Sequence, residues 1–197
     1  MTALAFLLAL PAYGGAVTTS ANAGWDFRDS ALWSGVELAI HPTNTEGTAF
    51  IGRLNPSWGF SDEQPRVLGE FGFATVVPQK EQATVRAGLV AQVLYTRAQH
   101  TMPIVLSSDE LYSGLVPAGM GLVEFEYGEN WRYAIGARAG VGPEITNIYC
   151  DSEIEPSCLR WTAGFAGGFY ARMRLSGGFA AELAVGPSSS LAVGWAW

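Results

Sequence analysis

The side chains with chemistry to offer are Glu37, Glu70, Glu124, Glu126, Glu144 and Glu182, together with Arg53, Arg86, Arg132, Arg138, Arg172 and Arg174. Carboxylates and guanidiniums in equal number can neutralise one another as ion pairs, or they can line a charged passage. Each of them sits in a run whose adjacent residues are mostly apolar, aromatic or small. The stretch "LRWTAGFAGGFYARMRL" at 159–175 is the densest case: Arg160, Thr162, Tyr170, Arg172 and Arg174 occupy even positions, and Trp161, Phe165, Phe169, Met173 and Leu175 odd ones. Side chains alternate across a β-strand, so this run reads as one strand with a polar face and an apolar face. On a helix the same arginines would scatter around the axis.

Other reactive groups are scarce. His41 shares its parity with Glu37. His100 is followed by Ser107, Ser108 and Asp109, which is the composition of a nucleophile–base–acid set without a framework to position it. Cys150 and Cys158 lie in the polar stretch "YCDSEIEPSC", a spacing that suits a small disulfide loop in an oxidising compartment. A metal site there is the weaker reading, because neither histidine is near in sequence. No glycine-rich phosphate cradle, metal-ligand cluster or cofactor signature is recognisable, so no cofactor is expected. With 11 basic against 18 acidic residues and a net charge of −7, the chain has no footprint for nucleic acid. At 49% hydrophobic and 15% charged it is not a disordered chain either.

The elements that must hold these charges follow the same alternation. It recurs over 33–42, 48–58, 66–77, 82–98, 115–127, 131–148, 160–175, 179–186 and 190–197. In 82–95 Gln82, Thr84, Arg86 and Gln92 oppose Val85, Leu89, Val93 and Tyr95; in 115–127 Glu124 and Glu126 oppose Val123, Phe125 and Tyr127. A soluble β-sandwich also alternates, but its outer face is solvated and its strands are short. Here many runs are long and the polar face is built of Arg, Glu, Gln, Gly and Ala. Trp58, Tyr95, Tyr127, Trp131, Tyr133 and Trp161 collect at the ends of the apolar faces, where a membrane's two interfaces select amphipathic rings. An open sheet edge in hydrocarbon would strand backbone polar groups, so the sheet must close. The expected fold is all-β: a closed, antiparallel, up-and-down transmembrane β-barrel.

Those runs number nine, and residues 16–27, "AVTTSANAGWDF", supply a tenth, with Thr18, Ser20, Asn22 and Asp26 on one face. The apolar run 3–10 is too short to cross a membrane as a helix and resembles the core of a secretory signal peptide that lacks its basic n-region. Cleavage after Gly14 or Gly15 leaves a single barrel domain over 16–197 with ten strands. Cleavage after Ala23 removes the first and favours eight. Connections at 43–47, 78–81, 128–130 and 176–178 are short, which places them on the periplasmic side; the long ones, 99–114 and 149–159, then lie outside. Asp62, Glu63, Asp109, Glu110, Asp151, Glu153 and Glu155 fall in the external connections, as solvated charges or as bridges to lipopolysaccharide through divalent cations.

The segment "FAAELAVGPSSSLAVGWAW" resembles the end of small bacterial outer-membrane β-barrels of the OmpA/OmpX-like superfamily. Their last strand carries a polar residue, a glycine and two alternate aromatics. Ser190, Trp195 and Trp197 fit that pattern, whereas Ala192 stands where glycine is usual and tryptophan replaces phenylalanine. The resemblance implies an outer-membrane location and recognition of these residues by the barrel-assembly machinery. Outer-membrane lipid and lipopolysaccharide are then the surroundings, and a monomer is expected. The superfamily is functionally mixed. The balanced inward charges lead to a non-enzymatic barrel with a structural or surface-interaction role and a salt-bridged, narrow lumen. A narrow pore for small solutes and a lipid A-modifying enzyme are the competing expectations.

Overall fold

The computed structural model describes residues 15–27, 31–43, 46–60, 65–78, 82–100, 110–129, 131–148 and 158–197. These form ten strands: β1 (Gly15–Asp26), β2 (Ala31–Pro42), β3 (Thr48–Gly59), β4 (Pro65–Pro78), β5 (Ala83–His100), β6 (Glu110–Tyr127), β7 (Trp131–Ile148), β8 (Cys158–Leu175), β9 (Phe179–Val185) and β10 (Ser188–Ala196). Each pairs antiparallel with its neighbours in sequence, and β1 closes the ring on β10 through the register Thr18↔Ala196 to Asp26↔Ser188. The result is the expected closed up-and-down barrel, with ten strands rather than eight. The run 16–27 is a full member of the wall.

Alternation dictates the two faces. On β3, Ala49, Ile51, Asn55, Ser57 and Gly59 are buried while Leu54, Pro56 and Trp58 are exposed. On β4 and β5, Glu70 and Arg86 point inward while Phe71, Phe73 and Leu89 point out. The exterior is therefore the apolar face. Phe50, Phe71 and Phe73 form an edge-to-face triad on it, with ring centroids 5.0–5.6 Å apart. Exposed rings gather at two levels: Tyr127, Trp131, Tyr133 and Trp197 near the short-turn end, and Trp25, Trp58, Phe60 and Tyr95 near the other. Tyr95 stands twelve residues along β5 from Ala83, which pairs with Tyr127. At about 3.3 Å per residue and a tilt of about 35–45°, those levels are about 30 Å apart, the thickness of a hydrocarbon layer.

Two features differ from the sequence reading. The strands β5 and β6 stay paired up to His100↔Glu110, so the loop expected over 99–114 shrinks to 101–109, outside the described residues. The interior is also less polar than parity alone implied. Ile51, Val90, Met120 and Leu122 face inward and pack with Ala74, Ala118, Ala166 and Tyr170, since a narrow lumen must be filled by side chains of some kind.

The wall is uneven in height. Strands β5 to β8 are each 18 residues long, whereas β9 has 7 and β10 has 9. The ladder between β8 and β9 ends at Phe169↔Val185, while β8 remains paired to β7 up to Cys158. At that break Gly167 and Gly168 adopt φ of 113° and 148°. A Cβ on Gly168 would lie 2.3 Å from the Val185 carbonyl oxygen, so only glycine fits.

Candidate functional site

Inward charges from β2 to β9 meet in one continuous network. Arg86 is fully buried and donates from Nη1 to Glu124 Oε1 at 2.9 Å and to Glu126 Oε2 at 3.1 Å. Arg132 Nη1 donates to the other Glu126 oxygen at 2.9 Å. Glu124 Oε2 also accepts from Arg172 Nη2 at 2.9 Å and from the Tyr170 hydroxyl at 2.6 Å. Arg172 continues to Glu182 at 3.7 Å, and Glu182 pairs with Arg53 from the opposite side of the barrel. Arg53 lies 3.6 Å from Glu37 and 3.5 Å from Glu70. Arg138 closes the set by reaching Glu70, its guanidinium 4.8 Å from the Tyr170 ring centre. Glu70 also accepts from Gln92 Nε2 at 3.4 Å.

A charge in such a place is costly unless its partner is fixed beside it. The network meets that condition by sharing. Glu124 serves two arginines and a tyrosine; Arg53 serves three carboxylates. Glycine in the wall makes the room: a Cβ on Gly136 would lie 2.4 Å from the Tyr170 hydroxyl, where that side chain now packs.

His41 is drawn into the same network rather than left to act as a base. Arg172 Nη1 lies 2.7 Å from His41 Nδ1, and Nε2 lies 3.0 Å from Thr18 Oγ1. A guanidinium only donates, so Nδ1 must accept and the ring proton sits on Nε2, donating to Thr18. That tautomer leaves His41 no lone pair for a nucleophile.

A second, smaller cluster lies toward the opposite end. Arg66 Nη2 donates to Asp26 Oδ2 at 3.2 Å and to Ser188 Oγ at 2.7 Å, and its guanidinium sits 4.5 Å from the Trp33 ring centre. It ties β1, β2, β4 and β10 together. Between the two clusters lies a cavity of about 80 Å³, the space of about two or three waters.

Of the expected lumen residues, Glu37, Arg53, Glu70, Arg86, Glu124, Glu126, Arg132, Arg138, Arg172 and Glu182 join one network. Arg174 does not. It has no carboxylate within ion-pair distance among the described residues and lines, with Arg132, a recess at the short-turn end. The Glu144 side chain lies outside the described residues. So do Cys150 and the Cys158 side chain, and no disulfide occurs among the described residues. Ser107, Ser108 and Asp109 are likewise outside them; His100 has its backbone in β5, paired with Glu110. Ser190 is half-buried, whereas Trp195 and Trp197 point outward, Trp197 Nε1 lying 3.4 Å from Thr19 Oγ1.

Sequence reasoning did not single out Asp26, Arg66, Trp33 or Tyr170. The parity signal was present for all four: Arg66 shares its parity with Glu70, Asp26 with Thr18, Tyr170 with Arg172, and Trp33 with Glu37. No family model, curated protein or solved structure matches the chain.

Proposed function

We propose that this chain is a non-enzymatic outer-membrane barrel, of the OmpA/OmpX-like kind, whose lumen is shut by ion pairs and whose role is structural or one of surface interaction. The observation that carries this is the inversion of faces. Phe71, Phe73, Leu89 and Phe169 are on the outside while Arg86, Glu124 and Arg138 are buried within. Water would reverse that arrangement; a lipid surround accounts for it. The ring levels about 30 Å apart fit the same reading.

The closed lumen supports a plug over a pore. Arg53–Glu182 and Arg138–Glu70 cross the interior between strands that are not neighbours in the wall, and the apolar cluster around Met120 fills the remaining section. The use of both His41 nitrogens in the network supports a non-catalytic role.

Cell fractionation and gel migration test the reading. The protein is expected with the outer membrane, and boiled and unboiled samples are expected to migrate differently. A soluble chain insensitive to heating would overturn it. Planar-bilayer recording separates plug from pore: silence is expected, and steady single-channel steps would replace the plug by the pore.

A further inference from the structure

Arg132 on β7 and Arg174 on β8 are register partners at the short-turn end of the barrel, both of inward parity. Like charges set directly opposite on adjacent strands repel. Every other described inward arginine holds a carboxylate. Here the supply runs out. Glu126 receives Arg132 Nη1 on one oxygen at 2.9 Å and Arg86 Nη1 on the other at 3.1 Å. Both oxygens are engaged before Arg174 is reached, and Arg174 has no hydrogen bond or ion pair among the described residues. The charges that act on it most strongly are that one glutamate and three arginines, Arg132, Arg172 and Arg86.

Other carboxylates stand at the same end: Glu46 in the β2–β3 turn, Glu129 in the β6–β7 turn, and the α-carboxylate of Trp197. With them counted the end as a whole has no positive excess. None of them, however, lies within ion-pair distance of Arg174, and Glu129 is exposed and accepts from Gln82 Nε2 at 3.2 Å. The unmet need is local to the two facing guanidiniums.

Those guanidiniums line a recess of about 330 Å³, room for a tetrahedral oxyanion and several waters at about 30 Å³ per water. Arg132 is steadied at its rim by the Thr43 carbonyl, 3.4 Å from Nη1, and its Nε and Nη2 have no partner among the described residues. Leu175 and Trp197 line the recess too. Leu175 is the last residue of β8 and Trp197 lies one past β10, so lumen side and lipid side meet where the wall ends, with no opening through the sheet. This is the level of Tyr127, Trp131 and Tyr133, the depth of lipid head groups.

We propose that Arg132 and Arg174 clamp a phosphate group at this rim, that of a lipid head group in the adjoining leaflet or of a free phosphate. An oxyanion between the two converts their repulsion into joint attraction, and the guanidinium fork suits two oxygens at once. The lipid source rests on the membrane-barrel reading; the clamp rests on the register of the two arginines.

The test uses the full chain refolded in dodecyl maltoside, an uncharged detergent. Native mass spectrometry is expected to show one phosphatidylglycerol retained per barrel, with diacylglycerol, which lacks the phosphate, weaker by about tenfold or more. Arg174→Gln is expected to weaken retention about tenfold, and Arg174→Lys, which keeps the charge without the fork, by less. Heat-dependent gel migration shows that each variant has folded, as expected for a side chain without an ion pair. Calorimetric titration with inorganic phosphate at constant ionic strength separates the sources. Phosphate binding that is lost in Arg174→Gln upholds the clamp for free phosphate, whether or not lipid binds; lipid retention alone, lost in the same variant, upholds it for a lipid head. A folded chain that binds neither probe, or binds both equally well in Arg174→Gln, overturns the clamp. A chain with no heat-dependent migration overturns the membrane-barrel reading and the lipid source with it, and the phosphate titration then decides the clamp.

Discussion

Arg53 on β3 is ion-paired with Glu182 on β9, although the two strands are separated in the wall by β2, β1 and β10. A pair that spans the lumen ties opposite walls together, which a pair between adjacent strands does not. It also joins the Glu37–Arg53–Glu70–Arg138 group to the Arg172–Glu124–Arg86–Glu126–Arg132 group. Without it the lumen would hold two half-plugs.

Breaking that link is expected to be expensive. Arg53→Ala leaves Glu182 with only the 3.7 Å contact to Arg172 and leaves Glu37 without its 3.6 Å partner. Loss of one member of a buried pair costs about 3–5 kcal/mol. Urea titration of the refolded barrel in lipid vesicles, followed by tryptophan fluorescence, should show a loss of that size. Arg132→Ala, at the more open end of the network, should lose much less, about 0–1 kcal/mol. Equal losses would mean that the cross-lumen tie has no special weight.

The same pair governs permeability. Wild-type protein in a planar bilayer is expected to be silent, and the double variant Arg53→Ala, Arg138→Ala to show discrete conductance steps. These two guanidiniums carry the contacts that cross to Glu182 and Glu70. Without them the ties left across the lumen from β1–β4 are Arg66–Asp26 and Arg172–His41, and the section between those two is expected to open. A silent double variant would move the block to the apolar layer around Met120 and Leu122.

What the sequence revealed and what it concealed divide along a physical line. Parity assigns a side chain to a face, so Arg86, Glu124 and Glu126 were legible as inward, and the polar face of 16–27 announced β1. Parity says nothing of azimuth or depth. That Arg53 meets Glu182, that Tyr170 donates to Glu124, and that Arg66 finds Asp26 depends on strand tilt and stagger around the closed ring. Arg172 reaches Glu182 on the adjacent β9, but its nearer carboxylate is Glu124, two strands away. Short β9 was visible as a length; the ladder break beside Gly167 and Gly168 was not, because it arises only when that length is set against an 18-residue β8.

Backbone conformation at that break gives a sharper test. Gly168→Ala places a Cβ against the Val185 carbonyl at a φ of 148°, a strain of about 1–3 kcal/mol. Gly119→Ala meets nothing within 4 Å and should be neutral within about 0.5 kcal/mol. The fraction of each variant that acquires the heat-modifiable form on refolding is the readout. A neutral Gly168→Ala would mean that β8 and β9 can re-register.

Trp195 and Trp197 separate assembly from stability. Both are outward, 46% and 76% exposed, so truncation removes little packing. Trp195→Ala and Trp197→Ala should refold in detergent much as the parent does, yet reach the outer membrane in severalfold lower amount if the assembly machinery reads them. Equal loss in both assays would reduce them to interface anchors.

Finally, the geometry around His41 distinguishes a structural histidine from a catalytic one. Its Nδ1 accepts from Arg172 and its Nε2–H donates to Thr18. His41→Ala should therefore destabilise the barrel by about 1–3 kcal/mol, the cost of leaving a buried donor unsatisfied. Lipid A from cells carrying wild type or His41→Ala should give the same mass spectrum. His41→Asn, whose amide offers both an acceptor and a donor, should recover part of the lost stability. A lipid A species that disappears in both variants would make the histidine a participant in chemistry and overturn the non-enzymatic reading; restored stability with unchanged lipid A would place its role in holding Arg172 against Glu124.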